Sequence, residues 1–508
     1  MKKLMLSALL VCLSQNLWAY TKGKVYKLTI LHTNDHHGRF WPNKDGELGL
    51  APRATLIQSL RDQVQKEGGH VLLIDAGDVN TGIPQSDLQE AEPDFKGMAL
   101  LGYDVMALGN HEFDKPFTTL MKQREWAGFP FISANIYHKD TNERVFPSHI
   151  VKEIEDMKVT IFGLTTEDTP VKSSPINTKP FNFIPVVEEA KKLVPVLRKD
   201  TDILIALTHM GHYADEQNGA DAPGDVTLAR QVNGIDVIVG GHTQKPLFEP
   251  DIQNGSIIVQ AHEWGKYVGK VDLEFLDGKV TLVSSKLIPV NLKDSKVKIE
   301  SDAYVESVLK PFKEKGDAAL GIQLGVLEGD LMGLAAVVRS GETNLGNLIS
   351  RAYKEKMNAD IGVTNSGGIR SSVSSGNITY ETVLTVLPFG NQLAVTELTG
   401  EELKKWLEPV LLTMKGSGGF PQISGVEITV NLEQKKITDF KVNGKPLCLK
   451  KVYKIAVPEF TAAGGDKYPV IPFRKTGFVD ADILKDYVLA NPLIKASDFA
   501  VTNYLKYE

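Results

Sequence analysis

Cysteine is nearly absent from this 508-residue chain, which contains only Cys12 and Cys448. Cys12 lies in an N-terminal leader that we expect to be removed, so the remaining chain cannot form an intramolecular disulfide. Cys448 lies in an apolar alternation, Pro446 to Leu449, and we predict that it is a buried structural thiol. A disulfide-stabilised scaffold and a metal site built from several cysteines are therefore excluded.

Long hydrophobic runs are missing as well. The N-terminal run from Leu4 to Leu13 is well short of the roughly 20 apolar residues that span a bilayer. It follows two lysines and precedes Ala19, an arrangement typical of a cleavable secretory signal. We predict a signal peptide at residues 1–19, no stable membrane insertion, and a periplasmic or secreted mature chain.

Basic charge is not in excess, since 57 Lys and Arg residues face 63 Asp and Glu residues and the formal net charge is −6. Nucleic acids and anionic lipids favour a basic face, so no nucleic-acid partner is predicted. Any anionic substrate must be held by local charge. The 42% apolar and 24% charged residues are typical of a soluble globular protein, for which we predict a monomer.

The length predicts two domains, because single hydrophobic cores stop growing at roughly 250 to 300 residues. Between Tyr26 and about Phe275, helical patterns alternate with strand-sized apolar runs, which include residues 26–31, 71–76, 159–164, 203–207 and 236–240. This alternation predicts a layered α/β domain.

A second α/β pattern begins beyond about Leu320, with a helix predicted near 343–357 and a strand near Ile361. Thr399 and Glu402 have the spacing of a capping box at the start of another helix. Between the two patterns, the apolar positions from Tyr304 to Phe312 predict a short connecting helix. The predicted boundaries are 20–297 for the first domain, 298–318 for the linker helix or hinge, and 319–508 for the second domain.

Candidate metal ligands follow five separate strand-like runs. In open α/β sheets, functional groups collect at the carboxyl ends of strands, so these side chains are expected to converge. Imidazole, carboxylate and amide oxygens together suit zinc, manganese or cobalt. Taken singly, each residue is more often structural, but the ordered series predicts one shared metal site. The candidates are Asp35 and His37, Asp78, Asn110 with His111, His209, and His242 with Gln244.

The same segments resemble a known family, the calcineurin-like metallophosphoesterases, and within it the 5′-nucleotidase group that includes bacterial periplasmic UDP-sugar hydrolases. The resemblance spans nearly the whole chain after the leader. It rests on the ordered motifs LHTNDHHG, GDVNTG, GNHEFD, THMGH and GGHTQ, followed by NSGGIR, LPFGN and AAGGDKYP.

This resemblance implies a four-layer α/β/β/α metallophosphoesterase domain and a C-terminal α/β nucleotide-binding domain joined by a linker helix. It also implies two divalent metal ions bridged by Asp78. One ion would be held by Asp35, His37, Asp78 and Gln244, and the other by Asp78, Asn110, His209 and His242. His111 would stabilise the phosphoryl transition state, and Asp114 would orient His111.

For the second domain, the resemblance places Phe389 and Phe460 on opposite faces of the nucleobase. Asn365 and Asp466 would contact base and ribose, and Arg339 and Arg370 would bind phosphate. Some relatives carry a further arginine just after the Glu-Gly-Asp turn, where this chain has Leu331 and Met332. The balance between mononucleotides and nucleotide-sugar diphosphates is therefore left open.

The resemblance implies an exported enzyme that releases phosphate from 5′-nucleotides and cleaves the diphosphate of UDP-sugars, by in-line attack of a metal-activated hydroxide. Two alternatives stay open from the sequence. One is a 2′,3′-cyclic-nucleotide phosphodiesterase with 3′-nucleotidase activity. The other is a nucleotide-binding protein without catalysis.

Overall fold

The computed structural model describes residues 20–213 and 223–508, so the predicted signal peptide, residues 1–19, lies outside the described residues. Two stacked six-stranded sheets form the centre of the N-terminal domain. In chain order the strands of this domain are β1 (Tyr26–Thr33), β2 (His70–Asp75), β3 (Val105–Ala107), β4 (Phe131–Ile132), β5 (Ile136–His138), β6 (His149–Ile154), β7 (Met157–Thr165), β8 (Phe181–Phe183), β9 (Ile203–His209), β10 (Val237–Gly240), β11 (Asp251–Gln253), β12 (Ser256–Gln260), β13 (Tyr267–Leu276) and β14 (Lys279–Pro289).

Helices cover the outer faces of both sheets. They are α1 (Leu50–Lys66), α2 (Pro84–Asp87), α3 (Glu92–Leu101), α4 (Phe117–Ala127), α5 (Thr169–Lys172), α6 (Pro175–Thr178), α7 (Val186–Leu197) and α8 (Asp225–Gln231), with 3-10 turns at His111–Phe113 and Arg198–Asp200. The first sheet has the order β14-β13-β1-β2-β3-β4 and the second β11-β12-β10-β9-β7-β6, while β5 and β8 form a separate ribbon.

Three apolar layers hold these elements together. Leu28, Ile30 and Ile205 belong to the core between the two sheets, whereas Leu31 packs into the core under the outer helices of the first sheet. A third core lies under the helices on the second sheet. Strands buried on both faces read as near-continuous apolar runs, which is why these runs were visible in the sequence. The predicted four-layer α/β/β/α architecture is confirmed.

The connecting helix α9 (Ala303–Leu320) contains the apolar positions from Tyr304 to Phe312 that predicted it. Asp302 caps it by accepting a hydrogen bond from the backbone N–H of Val305. Leu309 is fully buried against the first domain, but Tyr304, which was predicted to share the apolar face, is 67% exposed. The domain boundaries themselves remain a prediction.

The C-terminal domain contains three further sheets, with orders β17-β15-β25, β19-β16-β23-β18-β24 and β22-β21-β20-β26. Its strands are β15 (Gln323–Glu328), β16 (Ile361–Asn365), β17 (Gly376–Thr379), β18 (Gln392–Thr399), β19 (Pro421–Ser424), β20 (Val426–Asn431), β21 (Lys436–Val442), β22 (Lys445–Pro446), β23 (Val452–Pro458), β24 (Arg474–Val479), β25 (Leu493–Lys495) and β26 (Leu505–Tyr507). Its helices are α10 (Ala335–Val338), α11 (Asn344–Lys356), α12 (Tyr380–Val386), α13 (Gly400–Thr413), α14 (Glu459–Ala462) and α15 (Asp480–Ala490), with 3-10 turns at Ser366–Gly368, Gly465–Lys467 and Ala496–Phe499.

Two local predictions for this domain have opposite outcomes. The capping box is present, because Thr399 and Glu402 each accept a hydrogen bond from the other's backbone N–H. The prediction of a buried Cys448 is wrong, because the thiol is exposed. Cys448 lies in the connection between β22 and β23 rather than in a strand, and its neighbour Leu447 packs against the core while Cys448 faces solvent. None of the described helices combines the length and the apolar character that crossing a bilayer requires.

Candidate active site

The predicted metal ligands converge where five strands end. Asp35, Asp78 and Asn110 follow β1, β2 and β3, which run parallel in the first sheet. His209 ends β9, and His242 follows β10, its parallel neighbour in the second sheet. Because the carboxyl ends of parallel strands share one edge, the ligands of both sheets meet at one end of the sandwich.

Asp78 is common to two groups of candidate ligand atoms, each with all its atoms within 4.8 Å of one another. Asp35, His37 and Asp78 form the first group, in which His37 Nε2 lies 3.8 Å from Asp35 Oδ1 and 4.0 Å from Asp78 Oδ2. Asp78, His209 and His242 form the second, in which His209 Nε2 lies 3.0 Å from Asp78 Oδ2. The shared carboxylate has the position that a bridging ligand requires.

Asn110 and Gln244 complete the predicted set. Gln244 Nε2 donates a hydrogen bond to His37 Nε2 at 2.9 Å. Asn110 Nδ2 donates to the carbonyl oxygen of Lys172 at 3.4 Å. Within the described part of the chain, Asn110 Oδ1 and Asp35 Oδ1 are buried and accept no hydrogen bond. Buried acceptors without a donor are costly, and a bound cation would satisfy both oxygens.

Backbone carbonyl groups fix the orientation of two histidines. His37 Nδ1 donates to the carbonyl oxygen of Thr81 at 2.8 Å, and His209 Nδ1 donates to that of Ala76 at 2.7 Å. In both residues Nε2 is the nitrogen that faces Asp78. A hydrogen bond on one ring nitrogen sets the tautomer that leaves the other free to bind a metal.

The turns that carry these ligands have an unusual backbone. Five of the ligands have φ between 50° and 77°, where non-glycine residues are rarely found: Asp35, His37, Asp78, His242 and Gln244. Gly109 allows a close approach, since a Cβ atom there would lie 2.2 Å from Asp78 Oδ1. Strained turns of this kind occur mainly at functional sites, where the surrounding structure maintains them.

Negative charge is concentrated among these ligands. Burial and the neighbouring charge of Asp78 raise the pKa of Asp35 to about 7. Burial would lower the pKa of His209, but the carboxylates of Asp78 and Asp35 outweigh it and raise that pKa to about 10. The site therefore attracts positive charge, and its imidazole, carboxylate and amide donors fit divalent cations.

His111 and Asp114 form a pair beside the metal-ligand groups. His111 Nδ1 donates to Asp114 Oδ2 at 2.6 Å, and its Nε2 lies 4.0 Å from Asp78 Oδ2. Burial opposes ionisation of the imidazole, yet the charges of Asp114 and Asp78 raise its pKa to about 9. Thr81 Oγ1 and Ser173 Oγ donate to the two oxygens of Asp114, which keeps the carboxylate in place.

A cavity of about 260 Å³ joins this end of the sandwich to the C-terminal domain. Asn110, His111, Asp114 and His242 lie on its N-terminal wall. All six predicted substrate-binding residues line it from the C-terminal domain: Arg339, Asn365, Arg370, Phe389, Phe460 and Asp466. The structure therefore brings every predicted site residue to one place.

Two contacts organise the C-terminal wall. Asn365 Nδ2 donates to Asp466 Oδ2 at 2.7 Å, which leaves the other Asp466 oxygen for a ligand hydroxyl or amide. The Phe389 ring stacks on His111 across the cavity, with ring centroids 6.1 Å apart and an angle of 16° between planes. The guanidinium of Arg370 lies 5.4 Å from the Phe389 centroid.

Sequence reasoning gave no role to several residues that shape this site. Glu112 accepts hydrogen bonds from the backbone N–H groups of Asp78 and Gly109, and so ties two ligand turns together. The sequence signal that could have identified Glu112 was its position directly after Asn110 and His111. Lys172 and Ser173 also reach the site, but they follow no strand and belong to no motif, so the sequence carried no sign of them.

Comparisons with known proteins agree with this geometry. The calcineurin-like phosphoesterase family matches residues 28–246, and the 5′-nucleotidase C-terminal domain matches residues 323–472. A 5′-nucleotidase of Vibrio vulnificus is 46% identical, covering 99% of this chain and 97% of the relative. Protein UshA of Escherichia coli is 43% identical, covering 94% and 93%.

A solved structure agrees over most of the chain. The crystal structure of the 5′-nucleotidase precursor from Thermus thermophilus is 29% identical and superposes with a TM-score of 0.76, covering 95% of this chain and 99% of that one. The two matched domains, the full-length relatives and the convergence of the motif residues lead to one conclusion: the chain belongs to the 5′-nucleotidase family of calcineurin-like phosphoesterases.

Proposed function

We propose that this protein is an exported two-metal phosphohydrolase that releases phosphate from 5′-nucleotides and cleaves the diphosphate of UDP-sugars. The observation that carries the proposal is the shared cavity, in which Asn110, His111 and His242 lie opposite the aromatic and arginine side chains of the C-terminal domain. A phosphoryl group on the N-terminal wall and a nucleoside on the opposite wall would occupy it together.

Two divalent cations, which we propose to be zinc, manganese or cobalt, would supply Lewis-acid charge and lower the pKa of a bound water. Asp35, His37, Asp78 and Gln244 would hold one, and Asp78, Asn110, His209 and His242 the other. The two buried oxygens without donors, on Asp35 and Asn110, support this assignment.

His111 is proposed to donate a hydrogen bond from Nε2 to a phosphoryl oxygen as negative charge develops there. Its Nδ1 is already bonded to Asp114, so the ring cannot turn away from the cavity without losing that contact. Fixed donors of this kind stabilise a transition state because they need no reorganisation during the reaction.

On the opposite wall, Phe389 and Phe460 would stack on the nucleobase, with a contribution of roughly 1 to 3 kcal/mol per stacked base. Asn365 and Asp466 would bind base and ribose. Arg339 and Arg370 would bind phosphate through paired N–H donors. The Phe389 ring lies 6.1 Å from the His111 ring, measured between centroids, so the nucleobase wall directly adjoins the catalytic histidine. Helix α9 is proposed to serve as the hinge for a movement between the two domains during turnover.

Phosphate release from 5′-AMP and from UDP-glucose tests this proposal, using the purified mature chain with and without added manganese or zinc. Asp78→Ala removes the shared carboxylate and is expected to abolish metal-dependent release. Asp200→Ala, which removes a carboxylate that is 79% exposed at the surface, is the matched control and should keep wild-type rates.

The outcomes separate the alternatives. Release from either substrate that needs metal and disappears in Asp78→Ala supports a two-metal nucleotidase, and the ratio of the two rates ranks the substrates. Turnover of 2′,3′-cyclic AMP without turnover of 5′-AMP would favour the cyclic phosphodiesterase. No hydrolysis under any metal would reject catalysis and leave nucleotide binding. Recovery of the chain from a periplasmic fraction would test export.

A further inference from the structure

We propose that Lys172 is a specificity-determining residue that binds the non-reacting phosphate of nucleoside diphosphate substrates. The inference rests on the proposed nucleotidase function. It concerns a residue that no motif singled out and that lies at the end of α5 in the N-terminal domain.

Lys172 supplies a free positive charge to the cavity. It lines the same cavity as Arg339 and Arg370, and it is the one lysine or arginine that the N-terminal domain contributes to this lining among the described residues. Over residues 20–213 and 223–508 its ammonium group forms no hydrogen bond or ion pair, and the side chain is exposed to solvent. A cation without a protein partner is available for an anionic ligand.

Lys172 lies between the two walls of the cavity. It lines the cavity together with His242 of the metal-ligand wall and Asp466 of the nucleoside wall. Its helix, α5, packs against the 3-10 turn at Gly465–Lys467, which contains Asp466.

The backbone around Lys172 is fixed to the catalytic groups. Its carbonyl oxygen accepts from Asn110 Nδ2 at 3.4 Å. Ser173 Oγ donates to Asp114 Oδ1 at 3.0 Å, and Asn177 Nδ2 donates to the carbonyl oxygen of Asp114 at 2.9 Å. These contacts set the starting point of the lysine side chain relative to His111 and Asp114.

The number of phosphates in the substrate indicates which group the Lys172 ammonium binds. In a monophosphate, the single phosphoryl group must lie at the metal ligands. When the terminal phosphoryl group of a diphosphate lies there, the other phosphate is placed between the metal ligands and the nucleoside, which is the position that Lys172 shares with Arg339 and Arg370. A lysine is a mobile point charge and suits an anion whose exact position varies with the substrate.

The test compares AMP with ADP, because the two share one nucleoside and differ by one phosphate. Lys172→Gln is expected to lower kcat/KM for ADP about tenfold more than for AMP, mainly through KM, as expected for the loss of one charge-assisted contact. Lys172→Arg should restore most of the ADP activity. Lys179→Gln, which neutralises an exposed lysine of the same segment outside the cavity, is the matched control and should keep the wild-type ratio.

Equal losses for AMP and ADP in Lys172→Gln, or a similar change of ratio in Lys179→Gln, would overturn the inference while leaving the nucleotidase proposal intact. Failure of the wild-type protein to hydrolyse either nucleotide would instead overturn the proposed function, and this inference with it. Thermal unfolding of each variant, expected at the wild-type temperature because both lysines are exposed, excludes misfolding as the cause.

Discussion

At the scale of single residues, Glu112 shows how much of this site depends on groups that touch neither metal nor substrate. Its Oε2 accepts from the N–H groups of Asp78 and Gly109, and its Oε1 accepts from that of Val79, at 2.7 to 2.9 Å. One buried carboxylate therefore satisfies donors from two separate ligand turns. The motif made Asn110 and His111 predictable, but the partners of Glu112 depend on backbone geometry that no residue pattern encodes.

Glu112→Gln should weaken both stability and metal binding. The amide nitrogen would face backbone N–H donors, and an unpaired buried donor costs about 1 to 3 kcal/mol. Loss of a residue that positions metal ligands typically lowers metal affinity about 10- to 100-fold. Urea unfolding and calorimetric titration with manganese measure the two effects. Glu125→Gln, an exposed position in α4, should change neither, and a metal affinity equal to wild type in Glu112→Gln would contradict the positioning role.

At the scale of elements, apolar periodicity predicted helices and strands correctly. The exposure of a single side chain, which depends on tertiary packing, could not be predicted in the same way. The helix predicted near 343–357 is α11, and all five strand-like runs of the first domain are strands, because apolar periodicity reports burial. Cys448 also has apolar sequence neighbours, but it lies outside the strands and is exposed. Short alternations cannot distinguish a strand from a turn, since tertiary contacts decide which face is covered.

The capping box at the start of α13 gives a prediction for a single element. Thr399→Ala removes the hydroxyl that accepts from the Glu402 backbone N–H and is expected to lower the free energy of unfolding by about 1 kcal/mol. Chemical denaturation measures this change. Thr413→Ala, at the exposed other end of the same helix, is the control and should have a smaller effect. Equal losses in both variants would argue against the cap as the cause.

The start of α15 gives a prediction for pH dependence. Asp480 is buried, and burial raises its pKa to about 7, compared with about 3.9 in an unfolded chain. Between about pH 4 and pH 7 the folded state binds a proton that the unfolded state does not, so stability falls as pH rises through this window. Asp480→Asn removes this titrating group and should therefore reduce the loss of stability between these pH values.

Melting temperatures at pH 5 and pH 8 test this directly. Burial also raises the pKa of Asp75, Asp94 and Asp225 to about 7 each, so the fall in stability should shrink in Asp480→Asn rather than disappear. Asp498→Asn, an exposed control, should keep the wild-type difference between the two pH values. A difference in Asp480→Asn as large as in wild type would show that Asp480 is not the group responsible.

At the scale of the whole molecule, the two domains meet beside the cavity as well as through α9. Gln85 Nε2, in α2, donates to Glu381 Oε1, in α12, at 3.3 Å. Short segments of both domains also pack directly, with α5 against the 3-10 turn at Gly465–Lys467. The family resemblance predicted two domains and a linker, but the sequence could not predict which surface residues would meet.

A reversible cross-link tests whether the domains must move during turnover. In a Cys448→Ser background, which removes the exposed native thiol, Gln85→Cys and Glu381→Cys are joined by a short cleavable bis-maleimide. If movement about α9 is required, kcat for AMP should fall at least tenfold on cross-linking and return after cleavage. Each single-cysteine variant, treated in the same way, should keep its activity. Unchanged turnover in the cross-linked protein would exclude an obligatory movement.

The positive φ angles of Asp35, His37, Asp78, His242 and Gln244 have a consequence for how the protein would acquire the proposed metal ions. These candidate ligands span more than 200 positions of the chain and follow strands of both sheets, so the complete set is assembled only in the packed domain. If the site holds the proposed ions, selection among competing cations would therefore follow folding. The ionic composition of the medium in which folding ends, rather than that in which synthesis begins, would then decide which metals bind.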